Sequence, residues 1–181
     1  MTTLTLAVVL DRSGSMDEIW KEVIGSLDTM LDEQSAEGMT TVVPVVFDDR
    51  IDVLEKVVAG DGQPIPDSVK PRGMTALYDG IAAGIHAAEQ YAGTTDKTAV
   101  VIVTDGYENH SKEYDAVKIA GMIDEKRAAG WEFIFIGANQ DAWATGGGMG
   151  IASNHNWEQT AVGTRAAYND TSRKLSSYRN T

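Results

Sequence analysis

From residue 4 to residue 10 the chain is almost continuously apolar and rich in β-branched side chains. A short run without polar alternation reads as a strand buried on both faces. The period then changes. Met16, Ile19, Trp20, Val23, Leu27, Met30 and Leu31 recur at three- and four-residue spacing, which predicts an amphipathic helix over 16–33. Residues 42–47 read as a second strand, Asp48-Asp49-Arg50 as a tight polar turn and 51–58 as a third strand. So short a turn joins antiparallel neighbours. Residues 59–74 hold Gly60, Gly62, Gly73, Pro64, Pro66 and Pro71 with no apolar period, and predict a loop. A helix over 76–91 carries the stripe Leu77, Ile81, Gly84, Ile85 and Ala88, and 98–104 is a very apolar strand. A helix over 113–129, with Ala116, Ile119, Ala120 and Ile123 inward, leads to a strand over 133–136. Gly146-Gly147-Gly148 interrupts the segment that follows. A final helix over 157–178 has only a thin stripe of Tyr168, Leu175 and Tyr178.

Strands alternating with helices predict an α/β, Rossmann-like fold, a mostly parallel central sheet flanked by helices on both faces. Right-handed crossovers lead to the order 3-2-1-4-5, with strand three antiparallel at the edge. That edge strand ends at the bottom of the sheet, whereas the next helix must start at the top. The long loop spans this height. No repeat or linker divides the chain, so residues 1–181 read as one domain, large enough to bury its own core.

Charge and composition narrow the function. Asp plus Glu number 27 against 15 Lys plus Arg, a formal charge of -12. Such a surface repels phosphate backbones, so nucleic acid is not an expected partner, and it attracts divalent cations. The chain has no cysteine, which removes disulfides and suits a reducing cytoplasm, the expected location. The first apolar run lacks the basic flank of a signal peptide and is too short for a membrane span. No other run approaches that length, so membrane insertion is not expected.

The chemistry gathers where strands end. The first strand runs into Asp11-Arg12-Ser13-Gly14-Ser15, and the strand over 98–104 runs into Asp105-Gly106. In the predicted order these strands are neighbours whose connections leave to opposite sides, the switch point at which open α/β sheets bind ligands. Thr75 opens a helix at the same edge. Asp11, Ser13, Ser15, Thr75 and Asp105 thus offer hard oxygens to one place, which selects Mg²⁺, Mn²⁺ or Ca²⁺ over zinc or copper. Gly14 is expected to keep a side chain away from the ion. Each piece alone also suits a helix cap or a turn; convergence is what favours a metal. Glu108 and Asn109 should rim the site with Gly106, and Asn139 should follow the fifth strand at the same edge.

Asp11-x-Ser13-x-Ser15, Thr75 and Asp105 resemble the metal-ion-dependent adhesion site of von Willebrand factor A (vWA) domains. The segments 73–80 and 103–106 are similar as well, the resemblance covers residues 4 to about 140, and it implies a short last strand at 150–152 added to the order 3-2-1-4-5. Residues 104–111 and 135–139 look most like small bacterial and phage members. The resemblance implies that Ser13, Ser15 and Thr75 bind the ion, that Asp11 and Asp105 act mostly through water, and that a partner's Asp or Glu completes the shell. The expected function is a metal-dependent protein-binding module rather than an enzyme. The alternatives are a Mg²⁺-dependent phosphohydrolase and a structural component of a phage or ATPase-associated assembly. No nucleotide-binding glycine motif is present.

Overall fold

The computed structural model of the chain describes residues 1–138 and 146–181. β1 (Leu4–Asp11) passes through a 3-10 turn (Gly14–Ile19) into α1 (Trp20–Glu37). Then come β2 (Thr40–Phe47), β3 (Ile51–Val53), β4 (Val57–Val58), α2 (Leu77–Ala92) and β5 (Lys97–Thr104). α3 (Ala116–Ala128), β6 (Glu132–Gly137), β7 (Ser153–Asn156) and a last helix, α4 (Ala161–Arg179), complete the described elements.

The strand order is β3-β2-β1-β5-β6-β7, with β4 also paired to β2. β3 and β4 run antiparallel to β2, and the other neighbours are parallel. This is the expected order with the short last strand added outside. The apolar run of β1 requires two covered faces, and it has them. Leu4, Leu6, Val8 and Leu10 pack with Trp20, Val23, Leu27 and Met30 of α1 and with Tyr168 and Leu175 of α4. Ala7 and Val9 pack with Leu77, Ile81 and Ile85 of α2 and Ile119 and Ile123 of α3.

The long loop does what the antiparallel edge demands. The Ala59 N–H donates to Thr40 O at the foot of β2, and the Ala76 N–H donates to Asp48 O just past its top. The loop therefore climbs the eight residues of β2, roughly 25 Å at strand rise. On the way it buries Ile65 and Val69 in the α1 side of the core, which its lack of apolar period concealed.

Four expectations need correction. The single strand over 51–58 is two strands, because Pro44 of β2 interrupts their ladder. Val45 pairs with Val53 but Val42 with Val57, so the outer strand carries one extra residue, a bulge facing Pro44. Pro44 accepts from the Leu54 N–H and has no N–H to return. The last strand is Ser153–Asn156 rather than 150–152. On α3, Ile119 and Ile123 are buried while Ala116, the first residue of the helix, is exposed and Ala120 only partly covered.

The fourth concerns α4, which starts at Ala161 rather than 157; its apolar stripe is thin as expected, and Thr164, Thr171, Ser172 and Arg179 lie inward beside Ala167, Tyr168 and Leu175. It packs along α1. Gln34 of α1 donates through Nε2 to Ser172 O at 3.1 Å. Arg179 donates through Nε to Gln34 Oε1 at 3.0 Å, through Nη1 to Thr2 O at 2.7 Å, and also to the Thr40 hydroxyl. One buried guanidinium thus ties the last helix to α1, β2 and the N-terminal segment. Arg179→Ala leaves these acceptors unpaired and should lower stability by on the order of 2–3 kcal/mol. Urea unfolding should show a lower midpoint with an unchanged slope; an unmoved midpoint would mean that the network contributes nothing net.

Candidate metal centre

β1 and β5 lie side by side where the chain leaves the sheet in opposite directions, β1 toward α1 and β2, β5 toward α3 and β6. Their register pairs Leu10 with Val103, so Asp11 and Thr104 emerge together. The Thr104 hydroxyl donates to Asp11 Oδ2 at 2.7 Å, and the Ser13 N–H donates to Asp11 Oδ1 at 2.7 Å. The hydroxyls of Ser13 and Ser15 are 3.2 Å apart, and Ser15 Oγ donates to Asp105 Oδ1 at 2.9 Å. Four of the five expected ligands are therefore linked, directly or through one backbone amide, in a single hydrogen-bonded chain.

Thr75 joins them from the long loop. Asn109 clamps it in both directions: the Thr75 N–H donates to Asn109 Oδ1 at 3.0 Å, and the Asn109 N–H to Thr75 O at 3.0 Å. Gly106 lies between Thr75 and Asp11. A Cβ at Gly106 would stand 3.3 Å from Thr75 Oγ1 and 3.8 Å from Asp11 Oδ2, so any side chain would begin to fill the space between these oxygens. Asp11, Ser13, Thr75 and Asp105 are buried, and exposed Ser15 opens the group to solvent.

The alternative of helix capping can be tested directly. Ser13 holds the N-cap position of the 3-10 turn without a side-chain cap bond. The N-cap of α2 is Ala76, not Thr75, again without one. The hydroxyls of Ser13 and Thr75 are not consumed by capping.

The surrounding loops are stitched together by backbone bonds. The Arg72 N–H donates to Arg12 O at 2.7 Å and the Gly14 N–H to Gly73 O at 3.2 Å. Gly73 has φ 70°, and a Cβ there would lie 2.3 Å from Asp49 Oδ1. Only glycine meets both demands. Arg12 turns toward the β2–β3 turn, where Nη2 donates to Asp52 Oδ2 at 2.8 Å. Its Nε lies 3.7 Å from Asp48 Oδ2, which also accepts from Arg72 Nε at 2.7 Å.

The rim expectations divide. Asn109 positions Thr75, as described. Glu108 accepts from the Ser111 N–H at 2.9 Å and so shapes its own loop. A Cβ at Gly14 would meet only Gly73 O, at an ordinary 3.8 Å; the crowding expected there is found at Gly106 instead. Asn139 lies outside the described residues. Two contributors were not anticipated. Thr104 reads in sequence as the last residue of a strand, although its hydroxyl holds Asp11. Gln159, far along the chain, donates through Nε2 to Asp105 Oδ2 at 3.0 Å, and no local pattern marks it.

The donor set fits a hard divalent cation. Two carboxylates and three hydroxyls converge beside a space that one added carbon would obstruct. Among the described residues no three His, Cys, Asp or Glu side chains gather into a group that could hold a metal ion, so a cation here would depend on the hydroxyl oxygens beside Asp11 and Asp105. Burial pushes the Asp11 carboxyl up to about 6, against the lowering effect of its bonds from Ser13 and Thr104 and with the charge of Asp105 adding to the rise.

That shift sets a sign. The unfolded chain ionises Asp11 near 3.8 and the native chain near 6. The Asp11 contribution to metal-free stability is therefore fully present below 3.8 and is lost as pH rises through about 6. Asp11→Asn should stabilise the metal-free protein at pH 7 by on the order of 1–3 kcal/mol, with the advantage vanishing near pH 4. Thermal melts of both proteins across pH 4–8 in EDTA are the check; a constant difference would show that burial of this charge is not destabilising. Gly73→Ala should lower stability by about 1–3 kcal/mol through strain at a left-handed position, read from the same melts.

The family described as "VWA domain containing CoxE-like protein" matches residues 2–148. No curated protein matches the chain in sequence. Among solved structures, the PilB minor pilin from Streptococcus sanguinis is 14% identical with a TM-score of 0.73, the alignment covering 99% of this chain and 62% of the pilin. The chain thus spans less than two thirds of that protein's length. The vWF domain of the type V pili tip protein Mfa5 from Porphyromonas gingivalis is 11% identical with a TM-score of 0.70, covering 97% of this chain and 96% of that one. The conserved hypothetical protein BatB from Bacteroides thetaiotaomicron is 17% identical with a TM-score of 0.68, and each chain is covered over 100% of its length. At these identities the structures speak for the fold alone, while the family match extends over most of the chain: the protein belongs to the VWA domain family of CoxE-like proteins.

Proposed function

We propose that this chain is a metal-dependent protein-binding module, adhesive or scaffolding in role. Ser13, Ser15 and Thr75 would ligate one Mg²⁺, or Mn²⁺ or Ca²⁺, with Asp11 and Asp105 behind bound water. An Asp or Glu of a protein partner would complete the shell. The observation that carries this reading is the linked set of Asp11, Ser13, Ser15 and Asp105 around the space kept open by Gly106, with Thr75 on its other side.

The charge balance supports an incoming anion. Neutral hydroxyls neutralise little of a divalent charge, and two carboxylates acting through water leave the ion electrophilic. Exposed Ser15 marks the side from which a partner could reach it. The similarity to a minor pilin and a pilus tip protein supports an adhesive or scaffolding role.

The phosphohydrolase alternative gains no support from the site. Both Asp11 oxygens accept hydrogen bonds, and Arg12, the cation within the motif, is engaged by Asp52 and Asp48.

Millimolar Mg²⁺ or Mn²⁺ should raise the melting temperature by mass action. EDTA should leave the circular dichroism spectrum intact, because the core is apolar and independent of the ion. Ser13→Ala and Ser15→Ala should each weaken metal binding about tenfold or more, as expected for the loss of one ligand to a cation. A wild-type protein whose melting and calorimetry ignore both ions would overturn the reading. Pull-downs with and without EDTA, read by mass spectrometry, should identify a partner whose capture needs metal and fails when its acidic residue is neutralised.

A further inference from the structure

Gln159 reaches the candidate site from a part of the chain that the family match, ending at residue 148, does not cover. Its Nε2 donates to Asp105 Oδ2 at 3.0 Å, across 54 positions of sequence. The other Asp105 oxygen accepts from Ser15 Oγ at 2.9 Å. Among the contacts of Asp105, each carboxylate oxygen thus accepts a hydrogen bond, one from a hydroxyl expected to ligate the metal and one from a carboxamide that is not.

The placement of Gln159 is built. Two residues before it, buried Trp157 is fixed by its N–H to Gly137 O at 2.7 Å, at the end of β6, and by its indole Nε1 to Thr164 Oγ1 at 3.0 Å. One residue after it, Thr160 caps α4, its hydroxyl accepting from the Gly163 N–H at 2.9 Å. A Cβ at Gly163 would lie 2.2 Å from Glu158 O, so the helix start is pressed against the residue before Gln159. With both sides anchored, the backbone at Gln159 has little freedom, and its exposed side chain is delivered to Asp105.

We propose that Gln159 is a positioning residue of the metal centre: by holding Asp105 Oδ2 it keeps this carboxylate in the layer behind the metal-bound water and so maintains the charge-poor shell that a partner's carboxylate completes. This rests on the metal-dependent reading above. The chemistry follows from the donor set. Without the bond from Gln159, Asp105 would be freer to offer an oxygen directly to a bound cation, in place of a water and with its negative charge. The ion then attracts an outside carboxylate less strongly. A carboxamide is suited to restraining Asp105 because it donates without adding charge.

Mn²⁺ serves as the probe, since its electron paramagnetic resonance and the relaxation of bulk water report the shell and the number of exchangeable bound waters. Wild type and Gln159→Ala should melt alike in EDTA, because the side chain is exposed. With Mn²⁺, Gln159→Ala should show fewer exchangeable waters and an altered spectrum. Its affinity for acetate, added as a carboxylate probe and read by displacement of the remaining water, should fall about three- to tenfold, the scale of one charge-assisted hydrogen bond at an exposed position. Gln159→Asn, too short to reach Asp105 from the same backbone, should behave like Gln159→Ala. A metal-free readout stands beside these: the Gln159 carboxamide resonances in nitrogen-proton spectra should shift on Asp105→Asn in EDTA. Wild type that binds no Mn²⁺ would overturn the metal reading together with this proposal. Wild type that binds Mn²⁺ with a Gln159→Ala variant identical in spectrum, water count and acetate affinity would overturn the role of Gln159 alone.

Discussion

The parallel pairing of β1 with β5, Leu10 opposite Val103, is the constraint on which the site depends. It brings the ends of two strands together although 93 positions separate Asp11 from Thr104 in sequence. Because the next residues of β1 turn toward one face of the sheet and those of β5 toward the other, the polar groups that end the two strands remain together without a helix between them. The apolar runs of both strands secure this register from within: the same residues that bury β1 on two faces prevent it from sliding against β5. A slip of one residue would exchange the faces of the core and part Asp11 from Thr104 at the same time. Fold stability and site geometry are therefore the same requirement at this position.

The second constraint is the cost of burying charge. Among the described residues no cation hydrogen-bonds the fully buried Asp11, and burial raises its carboxyl to about 6. The Ser13 amide and the Thr104 hydroxyl offset part of that cost by donating to its two oxygens. The cationic side chains nearby are spent elsewhere, Arg12 on Asp52 and Asp48, and Arg72 on Asp48. Burial would raise Asp48, yet Arg72, the Arg50 N–H and Arg12 together hold it below its ordinary value. Two buried aspartates close in the fold are thus treated oppositely: the one under the turn is neutralised by arginines, and the one at the strand end is left without such a partner. Under the proposed function, that uncompensated charge is what a divalent ion answers.

Much of this was legible in the sequence, for physical reasons. Strands buried on both faces must be apolar without interruption, so β1, β2, β5 and β6 stood out, and the long loop followed from the antiparallel edge. The five candidate oxygens could be named because two of the segments begin where apolar runs stop and the third opens a helix at the same edge. What stayed hidden lacked a local signature. The bulge opposite Pro44 is a property of two strands together. The polar seam between α1 and α4 replaces apolar area with Gln34, Ser172 and Arg179, so the hydrophobic period of α4 is weak even though its face is buried. Gly106 rather than Gly14 keeps the cradle open, and this depends on Thr75 arriving from another segment. Gln159 meets Asp105 only because β7 and α4 return the chain to the strand ends.

The hydroxyl ligands and the carboxylates have complementary tasks in the proposed centre. A serine that gives a lone pair to a cation must send its proton somewhere, and a nearby carboxylate accepts it well. Ser15 already donates its proton to Asp105, which leaves the lone pairs of its oxygen for a cation. Thr104 donates to Asp11 in the same manner and occupies the oxygen nearer Gly106. In such a centre Asp105 would serve less as a ligand than as an orienting acceptor, fixing the direction of the Ser15 hydroxyl. An arrangement of this kind binds a cation through geometry and long-range attraction while leaving most of its charge available. A site built from directly ligating carboxylates would hold the ion more tightly and neutralise it, and would have little affinity left for the acidic side chain of a partner.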